Sequence, residues 1–189
     1  MDRAQKYYTP NVPVTDAALV ARVLVDDDHH AFAELVRQHQ STVRGLLRQL
    51  TRNDLALAAD LAQETFLRVY KNLRSFRGEA RFSTWLYRIA YNVFREDARR
   101  RKELVGIDES KWQEEQDPKT VDPALRHDLM HALNLLPLHE RSAILLCCQN
   151  GLSHEEAARV LEIPLGTVKT NVLRGREKLK RTLAAWGPN

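Results

Sequence analysis

The chain has 189 residues, 43% hydrophobic and 29% charged, which is enough to bury one large or two small cores. Lysine and arginine exceed aspartate and glutamate by 29 to 25, which fits a polyanionic partner without requiring one. The longest apolar stretch, residues 143–148, is far shorter than a membrane span, and the N-terminus lacks a signal-peptide apolar region. We therefore expect a cytoplasmic protein without membrane insertion of its own.

The two cysteines, Cys147 and Cys148, are neighbours within that apolar stretch. Adjacent cysteines give no disulfide framework, and no third cysteine exists to complete a metal site. We interpret them as core-filling side chains, with a redox-sensing pair as the alternative. The chain has no phosphate-binding loop motif, and neither of its two His-Glu dipeptides continues into H-E-x-x-H. We therefore expect no enzymatic activity, metal, cofactor or small-molecule substrate.

The N-terminal region begins with residues 1–14, which contain two prolines and no periodicity and are predicted to form a flexible tail. Thr15 is placed to cap a first helix. Three aspartates at 26–28 end that helix and lie at the start of a second, where the helix dipole favours anions. Both segments repeat apolar residues at helical spacing, which predicts a bundle.

A third helix is predicted over about residues 54–76, with an apolar stripe from Ala62 to Phe76. Its opposite face is polar but not purely so, because Leu67 would be left partly exposed. A docking surface for a partner helix is one interpretation, and an ordinary solvated surface is the other. The residues of this face are Asp60, Gln63, Glu64, Leu67, Arg68 and Lys71.

A fourth helix is predicted in the segment ARFSTWLYRIAYNVFREDARRRK, after a turn near Gly78. Its predicted inward stripe consists of Phe82, Leu86, Ile89 and Val93. Its outward positions are Arg88, Asn92, Arg95 and Arg99, interleaved with Tyr87 and Tyr91. Aromatic and basic side chains on one surface suit single-stranded nucleic acid, because bases stack on rings while guanidinium groups hold phosphates. The alternative is a core helix with charged flanks.

Residues 103–123 hold seven acidic residues against two lysines and show no apolar period, which predicts a flexible acidic linker. Pro123 is placed at the first position of the next helix, and another helix is predicted from about Leu138 to Asn150, with Gly151 at its end. The predicted fold is all-α. It has a tail over 1–14, a helical bundle over 15–102, the linker over 103–123 and a second bundle over 124–184.

The stretch 153–181 predicts a helix-turn-helix. Ser153 and Glu156 form an S-x-x-E capping box at a helix start, and Pro164 ends that helix. The second helix has an inward stripe of Val168, Val172, Gly175 and Leu179. Its opposite face carries Lys169, Thr170, Arg174, Arg176 and Lys180. A basic outward face favours entry into the major groove of DNA, with an ordinary solvated helix as the alternative.

Together these segments resemble the two-domain alternative sigma factors of bacterial RNA polymerase, the extracytoplasmic-function (ECF) group. DLAQETFLRVYKNLRSFRGEARFSTWLYRIAYN is similar to the polymerase-binding and promoter-melting segment of that family. LPLHERSAILL followed by GLSHEEAARVLEIPLGTVKTNVLRGREKL is similar to its promoter-upstream domain. The resemblance implies a sigma factor that binds core RNA polymerase, through the β′ clamp helices and the β flap, and promoter DNA. An anti-sigma factor is a further expected partner.

The resemblance also implies roles for individual residues. The clamp helices would contact the mixed face of the third helix. Asn92 and the loop 78–83 would line a pocket for a base flipped out of the −10 element. Contacts to melted −10 DNA would come from Arg81, Phe82, Ser83, Trp85, Arg88, Tyr91, Asn92, Arg95 and Arg99. Contacts to the −35 element would come from Thr167, Lys169, Thr170, Leu173, Arg174, Arg176 and Lys178, with Arg174 as the reader of a base edge.

Two residues depart from the family pattern. Asn171 stands where relatives often carry arginine, which we expect to remove one phosphate contact. Gly175 stands where alanine is common, which we expect to cost about 1 kcal/mol of helix propensity.

The alternative function is a stand-alone helix-turn-helix regulator that binds duplex operator DNA. It would leave the basic face of the fourth helix unused. Opening ten base pairs costs on the order of 14 kcal/mol at roughly 1.4 kcal/mol per step. A specific site gains only about 4 to 10 kcal/mol over non-specific DNA. We therefore expect the chain to open promoters only as part of a larger enzyme.

Overall fold

The structure is a computed structural model that describes residues 14–105 and 123–184. Every regular element in these two ranges is helical, and the helices form two bundles, which confirms the predicted all-α fold. Residues 1–13 of the predicted tail and 106–122 of the predicted linker lie outside the described residues. The exact domain boundaries therefore stay a prediction.

The first bundle contains four α-helices, with a short 3₁₀ turn, Leu73–Ser75, directly after the third. Thr15 caps the first helix as predicted and accepts a hydrogen bond from the backbone N–H of Ala18. Asp28, expected as an anion at the start of the second helix, caps it and accepts from the backbone N–H of Ala31. The third helix is shorter than predicted because its last residues tighten into the 3₁₀ turn. The helices are α1 Asp16–Asp26, α2 His29–Leu50, α3 Leu55–Asn72 and α4 Phe82–Val105.

The second bundle also contains four α-helices, and its helix α5 begins at Pro123 as predicted. The helix predicted from Leu138 is present but continues as a π-helical turn, Leu145–Gln149, before Gly151 with its positive φ of 69°. Leu129 of α5 is 42% exposed, whereas Leu133 is buried. The helices are α5 Pro123–Asn134, α6 Leu138–Ile144, α7 His154–Leu161 and α8 Leu165–Thr182.

The two cysteines lie within this π-helical turn. Cys147 is half-buried and Cys148 is exposed, so the interpretation of both as core residues is wrong for Cys148. A π-helical turn has more residues per turn than an α-helix, and it therefore rotates the following side chains away from the positions that α-helical spacing predicts.

Helices α7 and α8 form the predicted helix pair. The capping box is complete, because Ser153 Oγ accepts from the Glu156 N–H at 3.2 Å and Glu156 Oε2 accepts from the Ser153 N–H at 2.8 Å. Glu162 takes the left-handed conformation, with φ 56° and ψ 42°, and turns the chain out of α7. Pro164 then precedes the first residue of α8.

The two bundles contact each other through α4 and α7. A second contact lies under α6, where the fully buried Arg141 donates from Nη2 to the carbonyl oxygen of Leu50 at the end of α2, at 2.9 Å. Among the helices of the described ranges, none is long and apolar enough to cross a membrane.

Candidate nucleic-acid interface

Helix α8 presents a polar face to solvent, while its buried stripe faces the rest of the second bundle. Val168 and Val172 are buried there as predicted, and Leu179 is half-buried. All seven predicted −35 residues are exposed. Arg174, the expected base reader, makes no hydrogen bond or ion pair with any residue that the structure describes. Its guanidinium is therefore available to a ligand.

Lys178 differs from the other members of this face because its ammonium group already has a partner. Its Nζ lies 2.8 Å from Oε1 of Glu140, a residue of α6 that is only 3% exposed. A buried carboxylate without a cation is costly, so this contact holds α8 against α6. The pair is 38 residues apart in sequence, and no spacing rule reveals it.

The two departures from the family pattern both lie on the inward side of α8. Asn171 is 5% exposed, so its side chain faces the bundle, and the expected loss of a phosphate contact stays a prediction. A Cβ at Gly175 would lie 2.7 Å from Cγ1 of Ile144, inside any normal contact distance. The glycine therefore permits close approach of α8 to α6, a packing role that the expected propensity cost did not include.

Helix α4 exposes the arginines of its predicted outward face but not the tyrosines. Arg88, Arg95 and Arg99 are exposed, whereas Tyr87 and Tyr91 are only 5% and 8% exposed. The predicted surface of alternating rings and arginines is therefore wrong. Helix α4 packs against α2, α3 and α7, and its apolar face is consequently wider than one stripe.

Trp85 is half-buried, whereas the other aromatic side chains of α4 are buried. It packs against Phe76 and Phe82, with ring centroids 5.3 and 5.7 Å away. Phe82 itself is 4% exposed and belongs to the core, and Ser83 is half-buried beside it. Of the aromatic residues predicted to meet melted DNA, which are Phe82, Trp85 and Tyr91, only Trp85 is accessible, and it lines the same groove as Asn92.

Asn92 lies in a groove between α3 and α4 with a volume of about 260 Å³. Trp85, Ile89 and Arg88 share the groove, so an amide, an indole face and a guanidinium converge there. The loop after α3 lines a separate cavity of about 480 Å³, and only Ser75, Trp85 and Arg88 belong to both. The predicted single pocket formed by Asn92 and the loop 78–83 is therefore two adjoining cavities.

The mixed face of α3 is largely accessible. Asp60, Gln63 and Lys71 are exposed, and Leu67 is 49% exposed among them. Glu64 and Arg68 are half-buried and belong to an ion-pair network that joins α3 to α4.

In that network, Arg68 donates to Glu64 Oε1 at 2.7 Å and to Glu96 Oε2 at 2.6 Å. Hydrogen bonds to Glu64 and then to Glu96 raise the pKa of the Arg68 guanidinium. Arg68 thus positions neighbouring helices, whereas Leu67 offers apolar area to a partner.

Comparison with known proteins assigns both bundles to one family. Residues 35–103 match Sigma-70 region 2, and residues 126–179 match Sigma-70, region 4. The ECF RNA polymerase sigma-E factor of Haemophilus influenzae is 34% identical over 185 residues, which cover 90% of this chain and 96% of that protein. The chain belongs to the ECF sigma factors.

Two solved structures are similar to this sigma factor along most of its length. RpoE of Bartonella quintana, in complex with the anti-sigma factor NepR, is 27% identical with a TM-score of 0.72, covering 81% of this chain and 96% of that one. CnrH, in complex with the cytosolic domain of CnrY, is 25% identical with a TM-score of 0.68, covering 90% and 97%.

The family defines the function at a general level. The chain is an alternative sigma factor that directs transcription, and the comparisons favour this function over a stand-alone regulator. Sigma regions 2 and 4 imply binding to core RNA polymerase and promoter DNA. Sigma factors are non-enzymatic initiation factors. Within the described part of the chain, no group of three or more His, Cys, Asp or Glu side chains is arranged to hold a metal.

In this sigma factor, two residues predicted to contact the −10 element are paired with carboxylates of the helix-turn-helix. Arg81 binds Glu156 through two hydrogen bonds of 2.9 and 2.7 Å, and Arg88 binds Glu162 with a shortest distance of 2.6 Å. The hydrogen bonds from Arg81 hold the pKa of Glu156 at about 2. The partners are 75 and 74 residues apart, so sequence patterns gave no signal for either pair.

Proposed function

We propose that this sigma factor reads a −35 element with α8 and holds unpaired −10 bases in the groove beside Asn92, while core polymerase docks on the outer face of α3. The observation that carries the proposal is the exposure of all seven predicted −35 residues on one face of a helix whose other face is fixed against its bundle.

The −35 contact follows from the geometry of α8. The second helix of a helix-turn-helix enters the major groove, where arginine can donate two hydrogen bonds to guanine. Arg174 is exposed and unpaired within the described residues, so it reaches a base edge without first breaking an ion pair. Lys169 and Arg176 are exposed beside it and would hold backbone phosphates, which set the register but do not read sequence.

The −10 contact follows from the groove around Asn92. A side-chain amide both donates and accepts, so it can pair with the edge of a base that has lost its partner. Trp85 supplies a ring for stacking in the same groove, and Arg88 supplies a cation. Arg95 and Arg99 continue the basic surface along α4 and would follow the strand beyond that base.

The polymerase contact is proposed for the exposed part of α3. Leu67 gives this face an apolar centre, and Asp60, Gln63 and Lys71 surround it. An apolar residue within a polar rim is the composition of a protein–protein interface, and it suits the β′ clamp helices. We extend the proposal to the β flap as a contact of the second bundle. We also extend it to an anti-sigma factor, because the similar RpoE structure is a complex with the anti-sigma factor NepR.

The first test is run-off transcription with purified core polymerase and a promoter library. The wild-type chain should confer initiation at a defined set of sites, and Arg174→Ala should lose discrimination at one upstream base pair. The loss should be about 5- to 150-fold, because a bidentate arginine contributes roughly 1 to 3 kcal/mol. Lys180→Ala is the control, since Lys180 is exposed on the same helix. Initiation without site selectivity would overturn the proposal.

The −10 assignment has a separate test. Asn92→Ala should leave core binding unchanged and slow open-complex formation, measured by permanganate reactivity of unpaired thymines. Because Asp60, Gln63, Leu67 and Lys71 do not line the groove of Asn92, a change in core affinity would indicate misfolding. Open complexes that form at the wild-type rate would remove Asn92 from the −10 site.

A further inference from the structure

We propose that α7 masks the −10 face of the free sigma factor, with Glu156 and Glu162 bound to the guanidinium groups that would otherwise hold −10 phosphates. The inference rests on the proposed −10 role of Arg81 and Arg88. It makes the contact between the two bundles an autoinhibitory one, in which carboxylates of the upstream-reading module compete with single-stranded DNA.

The Glu156 carboxylate accepts hydrogen bonds from Arg81 and Thr84 of the other bundle. Arg81 donates from Nε to Glu156 Oε1 at 2.9 Å and from Nη2 to Oε2 at 2.7 Å. Thr84 donates from Oγ1 to Oε1 at 3.0 Å and is itself 3% exposed. The guanidinium fork matches carboxylate and phosphate equally well, so a DNA phosphate needs the same donors that Glu156 occupies.

The second carboxylate lies at the other end of α7. Arg88 donates from Nε and Nη2 to the same oxygen of Glu162, at 3.1 and 2.6 Å. Arg81 directly precedes α4 and Arg88 lies seven residues further along, about 10 Å at 1.5 Å per residue. Glu156 lies in the first turn of α7 and Glu162 directly follows that helix, six residues further along, or about 9 Å. The two spacings match, and this allows both pairs to form at once.

The contact between the bundles covers part of the −10 surface and leaves the other two proposed surfaces exposed. The outer face of α3 with Leu67 and Lys71 stays exposed while the two bundles are in contact, and so do the seven −35 residues of α8. Polymerase can therefore dock on α3 while the two bundles are still in contact. Within the described residues, the ion pairs between the bundles engage Arg81 and Arg88 of the proposed −10 surface.

The contact cannot persist on a promoter. The −10 and −35 positions are about 25 base pairs apart, or roughly 85 Å at 3.4 Å per base pair. Arg81 and Glu156 are in direct contact, yet they belong to the modules assigned to these two elements. The bundles must separate before both elements are bound, and separation is what releases Arg81 and Arg88.

The two ion pairs are partly open to solvent. The side chains of Arg81 and Arg88 are 65% and 53% exposed, whereas those of Glu156 and Glu162 are 14% and 43% exposed, so water and salt screen both pairs in part. Such pairs shift a balance between closed and open states by modest factors, in addition to the buried contact of Arg141 with Leu50.

The test of masking is the affinity of the free full-length chain for a fluorescent single-stranded oligonucleotide, measured by anisotropy. Glu156→Gln combined with Glu162→Gln removes both carboxylates, and glutamine at position 156 can still complete the capping box. We expect about threefold to tenfold tighter binding, given the modest worth of exposed pairs.

The matched control is Glu155→Gln combined with Glu177→Gln. It removes two acidic charges from the same bundle, at exposed positions whose neighbours among the described residues, Lys169 and Arg181, belong to that bundle as well. An affinity gain in the first variant that does not exceed the gain in this control would overturn the proposal, because general charge would then explain it.

Closure itself is tested by the distance between two spin labels in an Ala33→Cys, Cys147→Ser variant, one label on Cys148 and the other at position 33. Both labelled positions are exposed, one in each bundle. Arg88→Glu and Glu162→Arg should each lengthen and broaden the distance distribution, and the two together should restore it. The Glu156→Gln, Glu162→Gln variant should also lengthen it.

An unchanged distance in the charge-reversal variants and in the glutamine variant would overturn the masking. This outcome is separate from failure of the proposed function, because the distance is measured without polymerase or DNA. A sigma factor that opens on these substitutions and still lacks site-selective initiation would contradict only the functional assignment.

Discussion

Helix α8 and helix α4 are both proposed to meet DNA, yet they relate differently to their surroundings. Helix α8 contacts its own bundle on one side and leaves the other side to solvent, whereas α4 is packed by α2, α3 and α7. The arginines of α8 are accordingly exposed, and none of them pairs with a described carboxylate of the first bundle. By contrast, Arg81 and Arg88, at the start of α4, pair with Glu156 and Glu162 of the second bundle. The surface proposed to read duplex DNA is exposed to solvent in the free chain, whereas two arginines of the surface proposed for unpaired bases are bound to carboxylates.

The largest expected effect concerns Lys178, the residue of the α8 face whose ammonium group is already paired with a buried carboxylate of α6. Lys178→Ala should lower the free energy of unfolding by about 1 to 3 kcal/mol, because it leaves the buried Glu140 without its cation. Urea denaturation measures the change.

Lys180→Ala is the control for this substitution and should stay within about 0.5 kcal/mol of wild type, as an exposed substitution. If Lys178→Ala left stability unchanged and weakened DNA binding, Lys178 would belong with the free cations of α8.

The next prediction tests how closely α8 is fixed to α6. Gly175→Ala should destabilise the fold by about 1 kcal/mol, because an overpacked contact costs roughly 1 to 3 kcal/mol and helix propensity returns about 1 kcal/mol. The added Cβ meets Cγ1 of Ile144, a stiff and buried β-branched side chain.

Gly166→Ala on the same helix is the matched control, since nothing lies within 4 Å of its Cβ position. It should stabilise the fold by up to about 1 kcal/mol. Stabilisation by both substitutions would mean that α8 can shift away from α6.

A smaller effect distinguishes the two cysteines of the π-helical turn. Burial, then the neighbouring Cys148 and Glu155, raises the pKa of the Cys147 thiol to about 11, so little thiolate is present at pH 8. Iodoacetamide should therefore modify the exposed Cys148 at least about tenfold faster, as measured by peptide mass spectrometry. Equal rates would show that the turn opens in solution and would favour the alternative interpretation of the two cysteines as a redox-sensing pair.

The smallest expected effect is an invariance with pH. The Arg81 guanidinium lowers the pKa of Glu156 from 4.5 to about 2, so this carboxylate stabilises the folded contact fully above pH 4.5. Its contribution is lost only as the pH falls through about 2. The label distance should therefore be constant between pH 5.5 and 8. A change in that range would assign control of closure to a histidine instead.

Sequence patterns predicted what depends on local spacing. The capping box of Ser153 and Glu156, the cap at Thr15 and the buried valines of α8 are all present. Each rests on residues a few positions apart in one helix. The Asn92 groove was predicted in part, because its α4 residues share one helical face while Asn72 and Ser75 come from elsewhere.

Other features depend on contacts that no local pattern encodes. Tyr87 and Tyr91 were misplaced because a third neighbour, α7, widens the buried face of α4. Cys148 was misplaced because a π-helical turn changes the helical period. The pairing of Glu156 with Arg81 joins residues 75 positions apart, and only the packing of the two bundles brings them together.

Glu156 connects the start of α7 to the other bundle through a single carboxyl group. The oxygen that accepts from the backbone of Ser153 belongs to the helix start, and that bond does not require Arg81. When the bundles part, the carboxylate loses its distant partner but keeps its local one. The upstream-reading module therefore stays folded on either side of the transition, and closing again needs no refolding step.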